Sequence, residues 1–223
     1  MLFRSMSEIT ICYGMTETAP VSAQSSTEDS VEQRVSTVGR VHPHLEVKIV
    51  DESGKVVPRG QLGELCVRGY SVMLGYWEDQ DKTQEVIDTA RWMHTGDIAE
   101  MDDEGFVKIK GRIKDVVIRG GENLFPKEIE DFLYTHPAVS DVQVIGVPDH
   151  KYGEELCACI ILHENDPCTE DVIREYCAEH ISHNKVPRYV RFFHEFPMTA
   201  SGKAQKFKLR EFMREELNLK EIA

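Results

Sequence analysis

The 223-residue sequence has no run approaching the roughly 20 consecutive apolar residues that a membrane-spanning helix needs, which excludes such a span. Positive charge is scarce. Against 39 Asp and Glu stand 26 Lys and Arg, a formal net charge of -13, and this excludes the broad basic surface that nucleic acid requires. The same imbalance also reads simply as a solvated acidic surface. No CxxC pair occurs. The six cysteines are scattered as Cys12, Cys66, Cys157, Cys159, Cys168 and Cys177. Cys157 and Cys159 would share one face of a strand, a poor arrangement for pairing with each other. Free thiols in a reducing compartment fit better than a disulfide framework. The nine histidines lack paired ligand spacing with the cysteines, which argues against a zinc site. There is no internal repeat and no low-complexity tract. The opening stretch MLFRSMSEIT is too short and too weakly apolar for a secretory signal.

What is present reads as a globular α+β chain, 41% hydrophobic, in two parts. Residues 1–111 read as strands and turns. Leu45–Val50 and Gly63–Gly69 alternate apolar with polar, the period of a half-buried strand. Phe106–Lys110 follows the turn Asp102–Gly105 as in a hairpin. Asp79–Thr89 is polar around Val86 and Ile87 and predicts a short helix. Residues 112–223 alternate strands with helices, as a small mixed α/β domain would. Pro126 starts a helix that buries Ile129, Phe132 and Leu133. Val139–Val147 is a strand closed by Pro148, and Leu156–Leu162 is a more continuously apolar one. Thr169 caps a helix with Ile173, Tyr176 and Cys177 inside. Tyr189–Phe193 reads as a strand and Phe207–Leu217 as a final helix.

Four segments carry chemistry. Tyr13-Gly14-Met15-Thr16-Glu17 follows the apolar run Ile9–Cys12. A strand ending in Tyr-Gly lets the backbone turn sharply against a ligand. Thr16 can donate to a phosphate, and Glu17 offers a hard oxygen to Mg²⁺. An ordinary strand–turn explains the same five residues. Asp97, after Thr95-Gly96, can accept both hydroxyls of a ribose, or merely cap a turn. Gly120-Gly121-Glu122-Asn123 is, by itself, a turn. Lys203 ends Pro197–Lys203 (PMTASGK), which lacks the first Gly and the following Ser or Thr of a Walker A loop. A compact ammonium there suits a phosphate that gains charge in a transition state. Lys206 and Lys208 read as surface charges, Arg112 as a surface cation in an ion pair and Lys114 as a solvated linker residue. Asp115 pairs with Lys114 or caps the next strand.

In this order and spacing, with Gly63-Glu64-Leu65 and Gly75-Tyr76-Trp77 between them, the segments resemble the adenylate-forming superfamily. That group includes AMP-forming acyl-CoA synthetases, luciferases and the adenylation domains of peptide synthetases. The likeness runs from about Ile9 to Leu217. It implies the β-rich end of a large adenylating domain over residues 1–111, followed by a small mixed α/β carboxyl-terminal lid over residues 112–223. It assigns Tyr13 and Gly14 to the adenine side, Thr16 to phosphate, Glu17 to Mg²⁺, and Asp97 and Arg112 to the ribose. It makes Lys114 the hinge, sets Gly120 and Gly121 along the tunnel for the pantetheine arm of coenzyme A, and makes Lys203 the catalytic lysine.

Ile118–Asn123 and Gly202–Lys208 look most like medium-chain fatty acyl-CoA synthetases. The activity so implied is an acid–thiol ligase. It would activate a fatty acid with ATP as acyl-adenylate, then pass the acyl group to coenzyme A with release of AMP. The family's Ser/Thr/Gly-rich phosphate loop would precede Tyr13, and the sequence holds none. The expectation is therefore the carboxyl-terminal part of such an enzyme, inactive alone. The cytoplasm is the expected compartment, with the mitochondrial matrix as alternative. Two other functions remain open: adenylation for a carrier-protein phosphopantetheine, and a non-catalytic nucleotide- or partner-binding module.

Overall fold

The computed structural model describes residues 8–164, 167–200 and 202–219. The chain divides into two compact units, Met1–Ile113 and Lys114–Ala223. In the first, strands β1 (Cys12–Tyr13), β2 (Ala23–Gln24) and β3 (Arg40–Val41) form a small antiparallel sheet in that order. Strands β4 (Leu45–Val50), β5 (Gly63–Gly69), β6 (Met93–Met101) and β7 (Val107–Arg112) form a four-stranded antiparallel meander.

Burial along β6 alternates strictly, as a strand with one core face must. That face packs Ile49, Leu65, Ala99, Met101 and Val107 into one cluster, and Val67, Val72, Ile87 and Met93 into another. Two short helices flank the sheets. Helix α1 (Val31–Ser36) starts in a reciprocal cap between Ser30 and Gln33, and α2 (Gln80–Val86) is capped by Asp79, which accepts from the Lys82 amide. Helix α1 is absent from the sequence reading because its six residues bury none of their side chains and so leave no apolar stripe.

The second unit begins with the hairpin β8 (Val117–Arg119) and β9 (Glu122–Leu124), followed by α3 (Pro126–Leu133) with Pro126 at its first turn. Strands β10 (Val139–Asp149) and β11 (Gly153–Leu162) form a long antiparallel pair. Helix α4 (Glu170–His180) then crosses over to β12 (Tyr189–Phe192), parallel to β11. Helix α5 (Lys206–Glu216) closes the unit. Along its second edge β11 meets β12 at Cys157–Ile160 and β8 at Gly153.

Strand β11 is covered on both sides, which is why it reads as continuously apolar. Leu156, Ala158 and Ile160 join Ile129 and Leu133 of α3 and Ile173 and Cys177 of α4. Cys157 and Cys159 face the other way, against Phe196 and Leu209 and Met213 of α5. All six cysteines are free thiols.

Pro148 does not close β10. The strand runs on to Asp149, with Pro148 opposite Glu154. Strand β10 is a sheet edge, where a residue without an N–H costs no ladder bond. Nor is Lys206 a surface charge. Its ammonium lies 2.6 Å from Glu130 Oε1 and 3.2 Å from the Val144 carbonyl, and its side chain is 17% exposed. Glu130 Oε1 also accepts from the Val144 amide at 2.7 Å. One carboxylate thus ties α3, β10 and the start of α5.

Breaking a largely buried pair leaves a charge without its partner. Glu130→Gln should lower the unfolding free energy by about 2 kcal/mol. Asp131→Asn, which loses the exposed pair with Lys127, should change it by less than about 0.5 kcal/mol. Urea unfolding of both variants checks this, and equal losses would contradict it.

Candidate active site

The residue Asp97 sits in a distortion of β6. Glu64 of β5 pairs with Ile98, but Cys66 pairs with His94, so Thr95, Gly96 and Asp97 oppose Leu65 alone. Such a bulge re-aims a side chain. Three bonds hold the bulge, two of them across to β5. Thr95 Oγ1 donates to the Leu65 carbonyl at 2.7 Å and accepts from the Asp97 amide at 3.1 Å, while the Gly96 amide donates to Glu64 Oε1 at 3.0 Å.

The carboxylate so placed is 7% exposed. Tyr13, 84 residues earlier and at the end of β1, donates its hydroxyl to Asp97 Oδ2 at 2.6 Å. Arg112, paired with Asp97 across β6 and β7, brings Nε to 3.2 Å from Oδ1. Burial, reinforced by the Asp97 charge, raises the Tyr13 phenol well above its ordinary range, so it stays a donor. Each carboxylate oxygen has two lone pairs, so Asp97 can still accept hydroxyls from a ligand.

Gly14 follows Tyr13 where the chain folds back on itself. A Cβ there would lie 1.8 Å from the Pro20 carbonyl oxygen, so no other residue fits. Thr16–Thr18 then forms a single 3₁₀ turn, with Thr16 exposed and Glu17 half-buried. Glu17 Oε1 accepts from the Tyr76 hydroxyl at 2.9 Å, and the Glu17 carbonyl accepts from the Met73 amide. The other Glu17 oxygen has no hydrogen bond among the described residues, so Glu17 would offer one hard oxygen of the kind that fits magnesium.

Sequence spacing did not reveal a neighbouring group. Strand pairing brings ligand atoms of Glu64, Cys66 and His94 within 4.8 Å of one another. His94 Nδ1 lies 2.7 Å from Glu64 Oε2 and 3.6 Å from Cys66 Sγ. Burial pushes the Cys66 thiol up to about 12, so it remains protonated at neutral pH. Both Glu64 oxygens are engaged, one by His94 and one by Gly96. The visible work of the group is to hold the bulge that aims Asp97.

The remaining residues singled out from the sequence lie in separate loops of the second unit. Gly120 (φ 60°) and Gly121 (φ 86°) make the two-residue turn of the β8–β9 hairpin, and both occupy the left-handed region that glycine favours. Nothing lies within 4 Å of where a Gly121 Cβ would be, so its outer side is open.

Lys203 is exposed on a closed loop. Its amide donates to Thr199 Oγ1 at 3.0 Å and its carbonyl accepts from the Thr199 amide at 2.8 Å. Among the described residues its ammonium has no partner; Ser201 of the same motif lies outside them. Lys114 is exposed in a 3₁₀ turn, Ile113–Asp115. Asp115 pairs not with Lys114 but with Arg210 of α5, at 2.9 Å, because α5 packs on this stretch.

Among the described residues, no helix is long and apolar enough to cross a membrane. Residues 2–77 match the family described as AMP-binding enzyme, and residues 128–203 match the family described as AMP-binding enzyme C-terminal domain. The chain is 53% identical to the mitochondrial medium-chain acyl-CoA ligase ACSF2 of Bos taurus over 96% of its own length and 35% of that protein's. It is also 53% identical to the putative acyl-CoA synthetase YngI of Bacillus subtilis (strain 168), covering 96% of itself and 39% of YngI. The chain thus spans little more than a third of the length of these relatives. Among solved structures, the ATP-bound MatB of Rhodopseudomonas palustris matches with a TM-score of 0.86 and 33% identity, over 93% of this chain and 41% of that one. A bulge that presents a buried aspartate to a tyrosine at the head of the chain, an open glycine hairpin and a lone exposed lysine therefore stand in a chain that belongs to the AMP-binding, adenylate-forming enzyme family.

Proposed function

We propose that this chain is the nucleotide- and coenzyme-handling part of an AMP-forming acyl-CoA ligase, acting on a medium-chain fatty acid. The observation that carries the reading is the buried Asp97, met by Tyr13 and Arg112, which joins two distant motif segments at one carboxylate. The names of both acyl-CoA ligase relatives support it, and that of ACSF2 supports the medium-chain preference.

In this reading Asp97 accepts the ribose hydroxyls and Arg112 lies beside it. Tyr13 and Gly14 border the adenine, and Thr16 donates to phosphate. Glu17 would hold the magnesium ion, which supplies positive charge to the phosphates when bound. The fatty-acid carboxylate attacks the α-phosphorus of ATP, the bond to pyrophosphate breaks, and acyl-adenylate forms. Lys203 stabilises the charge that grows on the α-phosphate. The thiol of coenzyme A then loses its proton, attacks the acyl carbon and displaces AMP. Gly120 and Gly121 leave room for its pantetheine arm. Lys114 is the hinge at which the backbone changes direction between the two half-reactions.

A second reading is favoured by one observation. Tyr70, Leu74 and Trp77 are 74%, 92% and 90% exposed, an apolar surface that a neighbour would cover. On that reading the chain by itself is a nucleotide- or partner-binding module. Incubation with ATP, Mg²⁺, coenzyme A and fatty acids of graded length separates the two. Acyl-CoA from this chain that disappears in Lys203→Ala would make it sufficient for catalysis. No acyl-CoA from the folded chain, with product from the full-length protein, would assign the activity to the longer polypeptide.

In the full-length enzyme, Lys203→Ala should slow adenylate formation by about 100-fold or more. Thioester formation from preformed acyl-adenylate should change only a few-fold, and equal loss in both steps would contradict the role. Lys114→Pro should impair the thioester step more than adenylation, because proline fixes φ. Rapid-quench measurement of each step decides it.

A further inference from the structure

The β8–β9 hairpin that carries Gly120 and Gly121 has little sheet to hold it. It meets β11 at one register position, Arg119 opposite Gly153. Besides buried Val117 and Leu124 and a bond from Asn184 to Glu122 Oε2, three residues around the start of β11 hold it: Tyr152, Glu154 and Glu155. The Tyr152 carbonyl accepts from the Gly120 amide at 2.8 Å. Glu154 Oε2 accepts from the Ile118 amide at 2.7 Å. Glu155, 2% exposed, pairs with Arg119 Nε, and the Arg119 guanidinium lies 4.3 Å from the centre of the Tyr152 ring. Asp149 Oδ1 holds this turn in turn, accepting from the amides of Lys151 and Tyr152 at 2.9 Å.

A carboxylate as deep as Glu155 is stable only with its cation, so the pair fixes where Arg119 can be. Arg119 directly precedes Gly120. The Tyr152 ring lies beneath the turn as well: a Cβ on Gly120 would come within 3.2 Å of Tyr152 Cδ1. Tyr152, Glu154 and Glu155 therefore reach the amide before the turn, the side chain leading into it and the first amide within it.

We propose that Tyr152, Glu154 and Glu155 are positioning residues that set the pitch of the Gly120–Gly121 turn for the attack of the coenzyme A thiol. This rests on the acyl-transfer reading given above. A reacting group misplaced by about 1 Å loses roughly 100-fold in rate. The loss should appear in the step that uses the glycine turn and not in the step that uses Lys203.

The test uses the full-length enzyme with Glu155→Gln, Glu154→Gln, Tyr152→Ser and the conservative Tyr152→Phe, which keeps the ring under Arg119. Thioester formation is followed from octanoyl-adenylate and coenzyme A, and adenylation by ATP–pyrophosphate exchange with octanoate. Hydrogen exchange of the Ile118–Gly121 amides is measured by mass spectrometry on the same proteins. Glu155→Gln and Tyr152→Ser should lose at least about 10-fold in the thioester step while exchange of pyrophosphate stays within about 2-fold, and Tyr152→Phe should behave as wild type. Equal loss in both steps, or no loss in the thioester step, overturns the proposal. If Glu155→Gln does not fold, Tyr152→Ser, at a half-buried position, decides. If the wild-type enzyme itself transfers nothing from octanoyl-adenylate to coenzyme A, the acyl-transfer reading fails. Amide exchange then decides whether the clamp exists: faster in the variants sustains it, unchanged exchange removes it.

Discussion

Asp97, Glu130 and Glu155 are carboxylates largely withdrawn from water, and each is met by a cation or donor from a distant part of the chain. A buried carboxylate without such partners would be costly enough to reopen the structure around it. The partners are the motif segments themselves. Tyr13 and Arg112 come to Asp97, Lys206 beside the Lys203 loop comes to Glu130, and Arg119 beside the glycine turn comes to Glu155. The charges in the interior are therefore what fixes the loops, while the apolar clusters fix the strands and helices that carry the charges.

That division explains why the loops can be open and still ordered. Gly121 has no atom near its missing Cβ, and Lys203 is exposed. Neither is held by its own contacts with a core. Each sits one to three residues from an anchored ion pair, so its position is set while its outer side stays open.

Much of this was legible in the sequence. Leu45–Val50 and Gly63–Gly69 alternate, and each is a strand over those residues. Thr169 and Pro126 mark helix starts because a side-chain acceptor and a preset φ act locally. Two misreadings involve partners remote in sequence, whereas the strand end set at Pro148 and the missed α1 have local causes. Lys206 looked like a surface charge because Glu130 is 76 residues away. Asp115 was read as pairing with Lys114 or capping the next strand because Arg210 is 95 residues away. The grouping of Glu64, Cys66 and His94 depends on the register of β5 with β6, and histidine–cysteine spacing along the chain carries no trace of it. The glycines at 120 and 121 were read as clearance for a ligand arm. They also have a plain conformational reason, since both are left-handed.

The two thiols of Cys157 and Cys159 lie on the face of β11 that α5 covers, each 0% exposed. The Cys159 thiol beside it, together with burial, holds the Cys157 thiol well above its ordinary range. Both are inert while α5 is seated. An oxygen or an alkyl group added to either sulfur during a transient opening would find the space already filled by Leu209 and Met213. Helix α5 could not reseat, and Lys206 at its first turn would leave Glu130. Chemical ageing of a sulfur far from any substrate would thus be felt three residues from Lys203, as a loosened loop in a protein whose sheet is still intact.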